Sequence, residues 1–185
     1  MKKIMIISAA ALLSVSVNSF AANNFSVTST DMSSDKTLTQ QQVFNDFGCS
    51  GQNISPQLTW VNAPEETKSF AVTVYDPDAP TGSGWWHWTV VNLPATTTSL
   101  PAGAGDKLKS QLPAGAIQGR NDYGYAGFGG ACPPSGAKPH RYQFTVWALN
   151  TENLPLDNQS SGAMVGYMLN NTALAKAEMT VKFGR

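Results

Sequence analysis

Four runs of β-branched and aromatic residues, each closed off by turn-forming residues, constrain this chain more than any other feature. Phe70-Ala71-Val72-Thr73-Val74-Tyr75 is the clearest, and residues 88–93, 142–149 and 179–183 have the same character. Such side chains fit the pleated surface of a sheet, so each run predicts a strand. Shorter strand candidates lie at residues 25–28 and 57–60. Clusters such as Asn62-Ala63-Pro64-Glu65 and Pro101-Ala102-Gly103-Ala104-Gly105 punctuate these runs as turns and do not link domains. One helix is predicted near the end, capped by Ser160 and Ser161 and running over residues 162–169, with Met164, Val165, Met168 and Leu169 on one face. A small second helical piece is expected over residues 172–176. Many strands, few helices and one core predict a mainly β fold: an antiparallel β-sandwich with a short helical insertion before the last strand.

The first residues do not belong to that sandwich. Lys2 and Lys3 precede a mostly apolar stretch over residues 4–17, and Ser19 and Ala21 are small residues placed for a secretory cleavage site. Residues 1–21 are therefore expected to be a signal peptide cleaved after Ala21, leaving a single domain over residues 22–185 in the periplasm. The alternative, an uncleaved anchor, would need an apolar span of about 20 residues, and this stretch is shorter. Charged residues make up only 13% of the chain, and 12 basic side chains balance 12 acidic ones. With no basic cluster and no second spanning run, a nucleic-acid partner and a stable membrane anchor are both excluded.

Export changes how the two cysteines read. Cys49 and Cys132 both lie in Gly-rich loops, and an even count in an oxidising compartment predicts one disulfide between them. Two free thiols, or a thiolate nucleophile assisted by His140, are the alternatives left open.

The only two histidines end two restricted loops. Asp76-Pro77-Asp78-Ala79-Pro80 leads through a Gly-containing turn to Trp85-Trp86-His87-Trp88. Gly129-Gly130-Ala131-Cys132-Pro133-Pro134 leads to His140-Arg141-Tyr142. Prolines fix where the Asp76 and Asp78 carboxylates point. A carboxylate accepting from an imidazole sets that ring's tautomer and favours its protonated form. Two such rings with the Tyr142 hydroxyl and backbone N–H groups would make a cup for a small oxyanion. Period-two alternation puts His140 and Tyr142 on one face and Arg141 on the other, where Arg141 would pair with a loop carboxylate. Taken singly, an Asp-Pro-Asp is often a strand-ending turn and a strand histidine often a packing residue. The repetition favours a pocket.

With both signatures in order, and with Asn53-Ile54-Ser55-Pro56 upstream, the chain resembles the phosphatidylethanolamine-binding protein family, also called Raf kinase inhibitor protein-like, in its bacterial branch. The resemblance implies a β-sandwich with an anion pocket at one end, binding phosphate-type or phosphoethanolamine groups. It implies a ligand-binding set of Asp76, His87, Gly130, Cys132, His140 and Tyr142, with Pro80, Trp85, Pro133 and Pro134 as pocket wall. Cys132 stands where many eukaryotic members have glycine, so a bridge to Cys49 would stiffen that wall. The sequence also stops at Arg185, after the last strand, where eukaryotic members carry a helix flanking the pocket.

The expected function is a non-catalytic periplasmic binding protein for a small anionic or zwitterionic ligand, with no cofactor and no metal. The alternative is a protein-interaction module that inhibits a protease or kinase, and a homodimer is a further expectation. Phosphoester hydrolysis by the His and Asp residues ranks below both, because no Gly-x-Ser-x-Gly, His-Glu-x-x-His or P-loop pattern occurs.

Overall fold

The long apolar runs find one another as neighbours in a five-stranded antiparallel sheet. The computed structural model describes residues 24–185; the expected leader and its cleavage point lie outside the described residues. In chain order the elements are β1 (Ser26–Thr28), β2 (Leu58–Val61), β3 (Ser69–Asp76), β4 (Trp85–Pro94), β5 (Ser99–Leu100), β6 (Ile117–Gln118), β7 (His140–Leu149), α1 (Gly162–Thr172) and β8 (Ala173–Phe183). The large sheet has the order β6-β4-β3-β7-β8, and a small sheet has the order β1-β2-β5. All the strand pairs are antiparallel. The mainly β, antiparallel architecture with a short helix before the last strand is as the sequence predicts.

The large sheet is covered on both faces, which explains why β3 reads as a continuous apolar run with only Tyr75 not buried. On one face Phe70, Val72, Val74, Val90, Phe144 and Val146 meet Val27, Leu58, Trp60 and Leu100 of the small sheet. On the other, Ala71, Val91, Trp147 and Leu149 lie beneath Val165 and Leu169 of α1. Each such side chain contributes roughly 1.5–3 kcal/mol by leaving water.

Helix α1 starts where Ser161 accepts from the Met164 backbone N–H at 3.3 Å. Two sequence expectations need correction here. The expected second helical piece over 172–176 does not form: Thr172 ends α1, and residues 173–176 enter β8, with Ala173 opposite Leu149, Ala175 opposite Ala148 and Lys176 opposite Trp147. Alanine, leucine and lysine favour helix, but the difference is below 1 kcal/mol per residue, and a free edge of β7 offers a full ladder of hydrogen bonds. Met164 is not on the buried face. It is 51% exposed, because the helix docks through Gly162, Val165, Gly166 and Leu169.

That docking depends on glycine. A Cβ on Gly162 would overlap the Trp86 indole, and Trp86 also packs on Tyr75, their ring centroids 4.6 Å apart. Gly162→Ala gains about 1 kcal/mol of helix propensity but forces apart a packed layer, costing about 1–3 kcal/mol. The expected result is a net loss of stability, read as a lower midpoint in thermal unfolding.

Candidate functional site

Strand register gathers the signature residues at one end of the large sheet. Asp76, the last residue of β3, lies opposite Trp85, the first of β4, while Tyr75 lies opposite Gln143 of β7. The starts of β4 and β7 therefore flank the end of β3. The β3–β4 ladder also slips there: Val74 faces Trp88 and Tyr75 faces Trp86, so His87 is the extra residue of a β-bulge. The doubled position breaks the alternation and sends three adjacent indoles to three places. Trp86 meets α1, Trp88 enters the core with its Nε1 donating to Gln118 Oε1 at 2.6 Å, and Trp85 borders the site.

The site is a cavity of about 170 Å³. Of the residues expected there, Asp76, Pro80, Trp85, His87, Cys132, Pro133, Pro134, His140 and Tyr142 all line it, and Gly130 does not. Gly130 stands behind the wall: its N–H donates to Asn53 Oδ1 at 2.7 Å, and a Cβ there would overlap backbone atoms of residues 42–44. Close backbone approach thus explains the glycine.

The two imidazoles are held differently. His140 Nδ1 lies 2.7 Å from Asp76 Oδ2, and the other Asp76 oxygen accepts the Asp78 backbone N–H at 2.8 Å. Both side chains are buried. His87 has no carboxylate partner, contrary to the expectation of two such pairs. Its Nδ1 lies 2.7 Å from the Gly129 carbonyl and 3.1 Å from that of Gly130. Carbonyls only accept, so Nδ1 carries the hydrogen. Burial holds the His87 pKa below its ordinary value, against the opposing pull of the carbonyls and of Asp76.

Two residues that line the cavity carry a buried polar atom with no hydrogen-bond partner among the described residues: the Tyr142 hydroxyl and Trp85 Nε1. Buried polar groups are nearly always hydrogen-bonded, so two orphans in one cavity point to something that fills it. Burial, reinforced by the charge of Asp76, pushes the Tyr142 pKa up, so the phenol keeps its hydrogen. Among the described residues, no cluster of three or more His, Cys, Asp or Glu side chains is placed to hold a metal ion.

Cys49 and Cys132 form a disulfide with Cα atoms 6.0 Å apart, so neither is a nucleophile. The bridge joins the residue 46–51 loop to the cavity wall. Arg185 spans the same two loops, donating to the Pro133 carbonyl at 2.7 Å and to the Gly48 carbonyl at 2.8 Å.

With this geometry in place, comparison with known proteins is decisive about kinship. The pattern defining the phosphatidylethanolamine-binding protein family matches residues 28–184. The chain belongs to that family. The protein YbcL of Escherichia coli is 60% identical over 180 residues, 97% of each chain, and YbhB of the same organism is 52% identical over 155 residues, 84% of this chain and 97% of its own. A crystal structure of E. coli YbcL, described as a member of the mammalian family, superposes with a TM-score of 0.86 at 64% identity, covering 87% of this chain and 98% of that one. A homologue from Chlamydia trachomatis superposes at 0.73 with 28% identity, over 88% of this chain and 99% of its own.

Sequence reasoning missed four cavity residues of this family member: Ala79 and Thr81, in and just after the Asp-Pro loop, and the aromatic Phe47 and Tyr123. Tyr123 stacks on Phe44 with centroids 3.9 Å apart, meets Trp85 and His87 edge-on, and donates its hydroxyl to the Gly130 carbonyl at 2.9 Å. Nothing in the irregular loop around it marks it. Phe47 did leave a signal, because it lies two residues from Cys49, whose bridge to Cys132 draws it to the pocket mouth. There it is 64% exposed, on a left-handed backbone with φ of 54°.

Arg141 lies outside the cavity, as the alternation predicts. Its Nε and one terminal nitrogen reach the Asp78 carboxylate at 2.9 and 2.7 Å, and its backbone N–H reaches it at 2.8 Å. The Arg141 side chain holds the Asp78 pKa down to about 2. A depressed pKa gives stability that is present above the unfolded value near 4 and lost as pH falls through about 2. Asp78→Asn is therefore expected to melt slightly below wild type at pH 6, with the two converging by about pH 2. A gap that persists at the acid end would assign the effect to something other than this carboxylate.

Proposed function

We propose that this protein is a periplasmic binding protein that holds a small anionic or zwitterionic ligand, of phosphate or phosphoethanolamine type, between His87 and His140 without transforming it. Membership of a family named for ligand binding supports a binding role. The single observation that carries the reading is the pair of orphaned donors, Tyr142 Oη and Trp85 Nε1, in one cavity with both histidines. Asp76 would repel a phosphate, but both its oxygens already accept hydrogen bonds within the protein. An ammonium on a zwitterionic ligand would gain about 1 kcal/mol over an indole face such as Trp85. The leader-like N-terminus and the disulfide support an exported, oxidising location.

Isothermal titration with phosphate and phosphoethanolamine tests the reading. Binding to wild type that weakens about 10-fold in Tyr142→Phe, the worth of one hydrogen bond of about 1.4 kcal/mol, is the expected result. No binding to wild type, or equal binding to the variant, would overturn it.

A second reading, a protein-interaction module that inhibits a protease or kinase, is favoured by Phe47, an exposed aromatic ring at the pocket mouth. A partner captured from periplasmic extract by wild type and lost with Phe47→Ala, while phosphate binding persists, would support it.

A further inference from the structure

We propose that the pocket selects oxyanions that carry their own hydrogen, a phosphate monoester or hydrogen phosphate in its monoanionic form, over aprotic oxyanions such as sulfate. This deepens, and rests on, the reading that the cavity binds an anion. The argument starts from His87. Its Nδ1 hydrogen is committed to the carbonyls of Gly129 and Gly130, and among the described residues none forms a hydrogen bond with its Nε2. The ring lines the cavity, so Nε2 is the nitrogen left for a ligand.

Whether Nε2 accepts or donates depends on the charge of the ring. The groups facing it are Asp76 at the end of β3, Asp122 and Tyr123 in the loop after β6, and Tyr142 of β7, beside which lies His140. The Gly129 and Gly130 carbonyls and the two carboxylates favour the charged ring, and Asp76 is already engaged by His140 and the Asp78 N–H. Burial outweighs them and favours the neutral ring. Nε2 then presents a lone pair, while the Tyr142 hydroxyl presents a hydrogen. A ligand that satisfies both must accept at one oxygen and donate from another. A P–OH group does so. Sulfate brings only lone pairs and would set one of them against Nε2, the mismatch by which buried polar groups reject a near-isostere.

Titration of the wild-type protein tests this without any folding-sensitive variant. The probes are methyl phosphate, sulfate and dimethyl phosphate between pH 6 and 8.5. A phosphate monoester loses its second proton near pH 6, whereas sulfate and the diester do not titrate in this range. Their pH dependence reports the protein's own groups, and the ratio of affinities isolates the ligand's proton. At pH 6, methyl phosphate is expected to bind about 10-fold or more tightly than sulfate, with dimethyl phosphate grouped with sulfate. That advantage should fall to near parity by pH 8, following the monoanion fraction, which drops about 10-fold between pH 7 and 8. Because dimethyl phosphate stands for the diester of an intact phospholipid headgroup, the same series separates a lipid source from a free monoester. Tyr142→Phe should weaken methyl phosphate and sulfate alike and keep their ratio.

Sulfate binding within threefold of methyl phosphate at pH 6, or a ratio that stays flat with pH, would overturn this inference while the anion site stands. A ratio that collapses in Tyr142→Phe would overturn it too, by moving the discrimination away from His87. If no oxyanion binds at all, the anion reading falls and this inference with it.

Discussion

Replacing Cys49 and Cys132 together by serine is expected to cost about 4 kcal/mol and to lower the melting midpoint by roughly 10 °C, with little change in the affinity of the pocket. The bridge closes a loop of 83 residues of sequence separation, long enough for the loss of denatured-chain entropy to dominate. The folded state gives less reason for a large effect, because the bridged loops are also joined without sulfur. Phe44 N–H donates to the Ala131 carbonyl and Ala131 N–H to the Gln42 carbonyl, each at 3.0 Å. Arg185 adds its two bonds to Pro133 and Gly48. Those contacts should keep Cys132's backbone and the Phe47 loop close to their native positions when the bond is cut. Calorimetry of the double variant, and of wild type with and without reductant, reads the first half of the prediction; anion titration reads the second. A midpoint shift below about 2 °C would mean that the denatured chain is already held compact by other means. A large fall in affinity would mean that the bridge sets the wall geometry.

The strands that proved legible are those with a local apolar or β-branched run of four residues or more, the short β1 and β2 included, and the longest runs are those that burial on both faces of the large sheet demands. β5 and β6 have two residues each and are defined by their partners, so no local pattern announces them. Residues 173–176 read as helix since propensity is local, while the decision was made by the open edge of β7. The same distinction governs the site. Asp76, His87, His140 and Tyr142 were visible as residue types in restricted loops. The bulge at His87 was not, because it is a fact of register between two strands and leaves no trace in composition. That bulge separates Trp85, Trp86 and Trp88. It also gives His87 carbonyl partners where a carboxylate was expected, so the two imidazoles differ in chemistry although their signatures look alike. Tyr123 was hidden for a related reason: it reaches the cavity by packing on Phe44, a contact between two loops with no shared periodicity.

Asp76→Ala should be the most damaging single change at the site, at about 3 kcal/mol of stability, with Asp76→Asn losing less than half as much. Asp76 is 3% exposed and accepts from two donors, His140 Nδ1 and the Asp78 backbone N–H. Alanine leaves both buried without an acceptor, and too little space opens for water to replace a carboxylate with good geometry. Asparagine keeps one oxygen, which can still close the turn to Asp78. Its amide nitrogen then faces His140 Nδ1, and two hydrogens cannot share that contact. The relief available is for His140 to move its hydrogen to Nε2, so that Nδ1 accepts from the amide. In Asp76→Asn the His140 ring would thus offer a donor to the cavity while the neighbouring negative charge is gone. Sulfate affinity should therefore rise, even though stability falls. Thermal unfolding of the two variants separates hydrogen-bond acceptance from charge, and two-bond nitrogen–proton spectra of the imidazole report the tautomer directly. Equal losses in Ala and Asn would show that the charge of Asp76, not its acceptance of two hydrogen bonds, holds this end of the sheet together. A His140 hydrogen that stays on Nδ1 in the Asn variant would show that the ring turns away before it changes tautomer.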